Sequence, residues 1–369
     1  MKHERIFAAI LALIMAVSLV SGVLASGTVS ASSASSTSSA SPIKCSFEIP
    51  LDKNQAPDKL VAGHSWERAR VNIENAGNEL LNNVTVFIEV PQNLEVEVSP
   101  QPYLTTKEGQ MITAKIGDMA SGQSADIFLE IKPPYSIEFK KQVIFTIHMV
   151  YSGGEQQSEN KVSIIPPPSW MTYFTILASL LLFVGILAAV KHFGVLDLFS
   201  TVDLITIALL AAVIAVVFRY LSKLINLGWF DGLIIAIPTV VLMIVALQLV
   251  RKPGTATLLF TCVLLISMVV WGSHIMWLGF YLAEGVVVDL LVLLFKMDYA
   301  DRRVTAVIYG ISRGGVSTLV FYLLYAPVEW KISYAPWYIG MQLVIACAGG
   351  LIGGLLGYNT AIKMSGARL

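Results

Sequence analysis

Between Cys45 and about Ile165, apolar side chains recur at every second position. Val84, Val86, Ile88 and Val90 alternate with polar or exposed positions, as do Ile127, Leu129 and Ile131, and then Phe145, Ile147, Met149 and Tyr151. A period of two puts one face of a segment in a core and the other in water, so each is predicted to be a half-buried strand. Turn signals separate them: Asn75-Ala76-Gly77-Asn78, Ser121-Gly122, Lys132-Pro133-Pro134 and Ser152-Gly153-Gly154. About seven short strands without a helical stretch between them predict an all-β sandwich over 43–165.

After Pro166-Pro167-Pro168, which reads as a stiff extended spacer, the pattern changes. Apolar runs follow at about 170–190, 203–220, 232–250, 255–271, 275–295, 304–325 and 337–360. Each is close to the ~20 residues a helix needs to span a bilayer. The first has no strong polar residue inside and is set apart by KHFGVLDLFSTVD, so 170–191 is read as an anchor helix before a six-helix body over 200–365. The expected fold is therefore mixed: an exported all-β domain followed by an all-α polytopic membrane domain.

The front of the chain reads as an export signal. Lys2 and Arg5 precede the apolar run Ile6 to Val20, and Val23-Leu24-Ala25 offers small residues for cleavage. That run is shorter than a span, so residues 1–25 are expected to be removed, with an uncleaved anchor as the alternative. Residues 26–42 form a Ser/Thr-rich linker, with 9 Ser and 2 Thr among the 16 positions 26–41. Such a stretch buries no core and reads as a flexible stalk.

Charge sharpens the division. Apolar residues make up 55% of the chain and charged ones only 14%, with zero formal net charge, so no basic field argues for nucleic acid. Residues 42–169 carry 11 Lys/Arg and 16 Asp/Glu, whereas 170–369 carry 12 and 8. The second composition excludes a soluble enzyme. Lys191, Arg251, Lys252, Lys296, Arg302, Arg303, Lys363 and Arg368 fall on one side of the predicted spans, and Arg219, Lys223 and Lys331 on the other. The positive-inside bias then puts the β domain outside and the C-terminus in the cytoplasm of a multi-pass cell-membrane protein.

Two resemblances follow from these stretches. The order NIENAGNELLNNVTVFIEVPQNLEVEV, IGDMASGQSADIFLEI, VIFTIHMVYSGGEQQSENKVSI resembles immunoglobulin-like adhesion-type modules of microbial cell surfaces. FSTVDLITIALLAAVIAVVFRYL opens the helical body with two overlapping alanine-xxx-alanine pairs, Ala208/Ala212 and Ala211/Ala215. Together with the Arg251-Lys252-Pro253-Gly254 turn, LAEGVVVDLLVLLF and YGISRGG, this resembles the substrate-capture (S) component of energy-coupling factor (ECF) vitamin transporters, in the subgroup associated with thiamine or its hydroxymethylpyrimidine precursor. The resemblance covers roughly 200–365. It departs from that subgroup in TATLLFTCVLLISMVVWG, which carries no carboxylate. It implies a transmembrane coupling (T) subunit and separate ATPase subunits as partners, a vitamin-like small molecule as substrate, and Ala208, Ala211, Ala212 and Ala215 as the docking face. No GxxxxGK[ST] phosphate loop occurs in these residues, and neither does HExxH. A non-enzymatic binding subunit without cofactor is expected.

Three ionisable residues lie within the predicted spans: Glu284 and Asp289 in one, Arg313 in the next. A charge in lipid costs at least ~2.5 kcal/mol, so pairing is expected, either as a structural lock between helices or as a ligand site. Glu284 is the better ligand candidate because it lies nearer the outer side, from which an imported solute arrives, and it suits a cationic or amine-bearing one. Trp229, Trp271 and Trp277 flank Asp231, His274 and Tyr281, polar groups able to orient a stacked ring, so all six join Glu284 and Arg313 as candidate ligand contacts. Gly349-Gly350, Gly353-Gly354 and Gly357 read as a close-packing helix face. Asn83-Val84-Thr85 is a glycosylation sequon. Cys45, Cys262 and Cys347 have neither disulfide nor zinc spacing, so no metal is expected. Two other classes compete with transport: a surface adhesin or receptor anchored by the helices, and an intramembrane enzyme using Glu284, Asp289 and His274.

Overall fold

The computed structural model describes residues 42–218, 220, 224–225, 228–273 and 277–366. The export-signal reading of 1–25 and nearly all of the 26–42 linker lie outside the described residues. The chain divides into two compact units: one holds the strands together with Ala326–Tyr338, the other the remaining helices.

The β unit contains ten described strands: β1 (Ile43–Glu48), β2 (Lys59–Val61), β3 (Glu67–Asn75), β4 (Leu81–Glu89), β5 (Glu95–Val98), β6 (Leu104–Glu108), β7 (Met111–Met119), β8 (Ser124–Lys132), β9 (Lys141–Tyr151) and β10 (Gly154–Ile165). They form a four-stranded sheet, β1-β3-β8-β5, and a six-stranded sheet, β2-β10-β9-β4-β7-β6. Among the described residues, every strand pairing is antiparallel except that of β2 with β10. The alternating positions do what period two requires. Val71 and Ile73 of β3, Ile127 and Leu129 of β8, Val86 and Ile88 of β4, and Phe145 and Ile147 of β9 all enter one core between the sheets. Phe47 and Phe145 meet across it with ring centroids 4.8 Å apart.

Each of the four turn signals falls between or directly after strands. Asn75 secures the first. Its buried amide nitrogen donates to the carbonyls of Glu79 (2.8 Å) and Met119 (2.9 Å), and its side-chain oxygen accepts from the Gly77 N–H (3.0 Å). The strand count exceeds the expected seven because β2, β5 and β6 are only three to five residues long.

The helical unit contains α1 (Ser169–Phe193), α2 (Thr201–Ala212), α3 (Asp231–Val250), α4 (Thr255–Trp271), α5 (Leu278–Leu294), α6 (Arg303–Val320) and α7 (Pro336–Gly366). Wide π-type turns extend α2 through Val213–Phe218 and α6 into Phe321–Trp330. These helices follow the seven apolar runs, but not all reach spanning length. Among the described residues, Gly232–Val250, Arg303–Trp330 and Pro336–Met364 are long and apolar enough to cross a membrane. Thr201–Val217 and Thr255–Trp271 are apolar but shorter. At ~1.5 Å rise per residue, such a segment falls several ångströms short of a ~30 Å hydrocarbon core.

Local chemistry explains two boundaries. Ser200 and Asp203 form a reciprocal capping box at the start of α2. Arg251, at φ 52°, ends α3, while Gly254, at φ 87°, opens α4. The charges of this Arg-Lys-Pro-Gly turn are held in place: Arg251 reaches Asp301 at 2.6 Å, and Lys252 reaches Asp203 at 2.6 Å. Of the α7 glycines, Gly350 and Gly354 pack closely against α6, Gly350 backbone to backbone with Gly310, while Gly349, Gly353 and Gly357 pack against α3.

Candidate solute site in the helical unit

Six helices, α2 to α7, enclose a cavity of about 320 Å³. Its wall carries the aromatic rings of Phe260, Phe280, Tyr281, Phe321 and Tyr322, and the polar groups of Thr239, Ser267, Glu284, Arg313 and Ser317. Both π-type segments contribute, through Ile214 and Ala215 and through Phe321 and Tyr322. Such turns widen a helix locally and recur where a helix lines a functional space.

The charged pair is the centre of this wall. The Arg313 Nη2 donates to Glu284 Oε1 at 2.8 Å, and the Ser317 hydroxyl donates to the same oxygen at 2.5 Å. Glu284 is 1% exposed and Arg313 7%. The guanidinium also lies 5.5 Å from the Phe260 ring centroid. Close helix contacts hold both residues. A Cβ on Gly285 would sit 2.5 Å from the Thr257 Cα, and one on Gly314 would sit 2.6 Å from the Ala346 carbonyl oxygen. Each charge is thus the immediate chain neighbour of a position that only glycine fits.

Asp289 is engaged elsewhere. Its carboxylate accepts from the backbone N–H groups of Thr257 (2.7 Å) and Ala256 (3.4 Å) at the N-terminus of α4. A carboxylate there satisfies free helix donors and the positive end of the helix dipole. Glu284 is therefore Arg313's ion-pair partner, while Asp289 caps a helix.

Four atoms of the cavity-lining residues are buried without a hydrogen-bond partner: Glu284 Oε2, Arg313 Nε, Thr239 Oγ1 and Ser267 Oγ. An unsatisfied buried polar group costs ~1–3 kcal/mol, and more when charged. All four belong to residues that line the same cavity.

Of the residues expected at a ligand site, Tyr281, Glu284 and Arg313 line this cavity. Trp271 and Trp277 do not. The Trp271 indole N–H donates to the Ala215 carbonyl at 2.7 Å, tying the end of α4 to the π-type extension of α2. Trp277 stacks on Tyr325 at 5.2 Å and on Phe321 at 6.2 Å, and meets Phe280 edge-on at 5.4 Å. These indoles support the wall from behind, which corrects their assignment as stacking platforms. Trp229 lies in the turn Gly228–Phe230 and Asp231 begins α3, while His274 lies outside the described residues.

The alanine face also needs correction. Ala211 and Ala215 are packed inside the unit, and Ala215 lines the cavity, so neither offers an outward docking surface. Ala208 is exposed and Ala212 half-buried. Asn83 is exposed at a left-handed backbone position, φ 58°, beside a register shift between β4 and β7. Among the described residues, no group of three His, Cys, Asp or Glu could hold a metal ion.

The residues missed from sequence are Thr239, Ser267, Ser317, Phe260, Phe280 and Phe321. Each is a common membrane-helix residue within an apolar run, and nothing in its spacing marks it as converging on a cavity.

No protein-family model matches the chain, and no curated protein matches it. Among solved structures, it is similar to one described as an S-component of an ECF transporter, at 18% identity over 46% of this chain and 88% of that one, with a TM-score of 0.38. It is also similar to the major pilin subunit of Bacillus cereus, at 14% identity over 34% of this chain and 40% of the other (TM-score 0.26). A non-cellulosomal cohesin from the hyperthermophilic archaeon Archaeoglobus fulgidus matches at 18% identity over 31% and 91%, respectively (TM-score 0.22). All three likenesses are distant, and the function of this chain is argued from its own residues.

Proposed function

We propose that the helical unit is a membrane-embedded solute-binding subunit of the S-component kind, which captures a vitamin-like small molecule in the cavity between α2 and α7. The observation that carries this reading is the buried Glu284–Arg313 pair with one unpartnered atom on each side chain, facing a cavity of about 320 Å³. That volume is in the range of small-molecule sites, which are mostly apolar with a few convergent polar groups. The apolar helices place such a site in a membrane protein, as three of them are long enough to cross.

In this reading the chain binds rather than catalyses. Transport energy comes from separate coupling and ATPase subunits, and thiamine or its pyrimidine precursor is the first substrate to test. The β unit stands outside the cell and the C-terminus inside. Exposed Ala208 and half-buried Ala212 are the remaining part of the alanine face able to meet a coupling subunit.

Native mass spectrometry of the purified protein tests the central claim. A small molecule should accompany the wild type and be lost from Ala236→Phe, which fills the cavity from α3. A folded wild type that never carries a solute, whether purified from rich medium or incubated with candidate vitamins, would sink the reading.

A further inference from the structure

We infer that the ligand of this cavity is an uncharged, flat molecule presenting a hydrogen-bond donor beside an acceptor on one edge, as a primary amide or lactam does. The inference rests on the solute-binding reading and names the ligand's chemistry.

Electrostatics carries the first half. Among the described residues, the fully ionisable acid and base on the cavity wall are Glu284 and Arg313, and they already neutralise one another at 2.8 Å. A cationic ligand approaching Glu284 Oε2 would meet the guanidinium joined to the same carboxylate. An anionic ligand approaching Arg313 Nε would meet the carboxylate. Either would bring a third charge out of water with no counter-charge left to compensate it. An uncharged ligand avoids that cost. This departs from the cationic solute that Glu284 suggests when it is considered alone, and it ranks the uncharged pyrimidine precursor above cationic thiamine.

The unpartnered atoms carry the second half. Glu284 Oε2 only accepts in its ionised form, and Arg313 Nε–H only donates. They belong to two hydrogen-bonded side chains that both line the cavity. A ligand edge with an N–H next to a C=O satisfies both together. A purely donating edge leaves Arg313 Nε unpaired, and a purely accepting edge leaves Glu284 Oε2 unpaired. Thr239 and Ser267 can serve as donor or acceptor and so fit substituents of either kind. The five aromatic side chains favour a flat body. Water's share of liquid volume is about 30 Å³ a molecule, so the cavity has room for a compact single- or two-ring ligand.

Three probes of nearly one shape test this: benzamide, benzoate and benzamidinium. They share a ring, while their polar edges are donor plus acceptor, acceptor only and donor only. Binding is measured by calorimetry on the full chain in lipid nanodiscs at neutral pH. Benzamide should bind at least tenfold more tightly than either charged probe. In Glu284→Gln the uncompensated guanidinium should move the ranking at least tenfold toward benzoate, and Arg313→Gln should move it toward benzamidinium. If either variant fails to fold, the wild-type ranking decides.

A charged probe that outbinds benzamide in the wild type overturns the inference, as does a wild type that binds none of the three at millimolar concentration. The solute-binding reading falls separately. If a co-purified solute is present but benzamide does not bind, only the ligand class is rejected. If neither is found, the site itself is rejected.

Discussion

Glu284 and Asp289 are five positions apart on one helix and look alike in sequence, yet their surroundings give them different work. Asp289 closes the N-terminus of α4 through two backbone N–H groups, whereas Glu284 faces Arg313 and the cavity. Asp289→Asn should therefore cost roughly 1 kcal/mol of stability by weakening a helix cap, and leave solute affinity unchanged. Thermal unfolding and binding on the same sample check both halves, and a large affinity loss would place Asp289 in the site. A second residue-scale prediction lies in the β unit, where His64 Nδ1 stands 3.3 Å from Glu67 Oε2. Burial raises the Glu67 carboxyl above its ordinary value of 4.5 and lowers the His64 imidazole below 6.5. Folded Glu67 holds its proton more tightly than the unfolded chain does, so its contribution is full below pH 4.5 and is lost as pH rises through the raised value. His64 works in the opposite sense: its contribution is full above pH 6.5 and is lost as pH falls through the lowered value. Glu67→Gln should remove the fall that begins near pH 4.5 and leave the His64 limb in place. Urea unfolding of the full chain, followed by β-sheet circular dichroism from pH 4 to 8, reads this directly, and an unchanged profile contradicts it.

At the scale of elements, α2 shows how a repeated small-residue pattern divides between two faces. Ala211→Leu would force extra volume into a packed interior and should destabilise the helical unit by ~1–3 kcal/mol. Ala208→Leu, on the exposed face, should leave stability near wild type and weaken assembly with a coupling subunit by blocking close backbone approach. Comparing melting temperature with co-purification of coupling subunits separates the two, and equal effects from both substitutions would remove the distinction between the faces. The same contrast governs which elements were legible. β4, β8 and β9 each bury one face of a run of nine residues or more, so alternation reveals them. β10 was less visible because Glu155 to Lys161 are largely polar and only Val162 and Ile164 reach the core. Its backbone pairing with β9 over Gly154 to Ile164 makes it a strand, and backbone pairing leaves no hydrophobic period in a sequence.

For the whole molecule, the charge asymmetry around the apolar helices predicts a cytoplasmic C-terminus and an external β unit. A C-terminal fluorescent reporter that fluoresces only in the cytoplasm should be bright, and a reporter requiring export fused at the same place should be inactive. The reverse pattern overturns the orientation. Composition and periodicity were enough to establish a β domain before a helical membrane part, because burial of one strand face and of whole apolar helices is written into local residue order. They also marked Glu284 and Arg313, since charges in apolar helices are rare and need partners. They could not show that Asp289 turns to the N-terminus of α4, nor separate Ala211 from Ala208, nor gather Thr239, Ser267 and Ser317 around the same space. Those outcomes depend on the rotation of each helix and on which neighbours it meets, and close contacts at Gly285 and Gly314 position the helices carrying the charged pair. Helix rotation is set by packing between distant segments, so the cavity and its unpartnered atoms exist only in the folded arrangement.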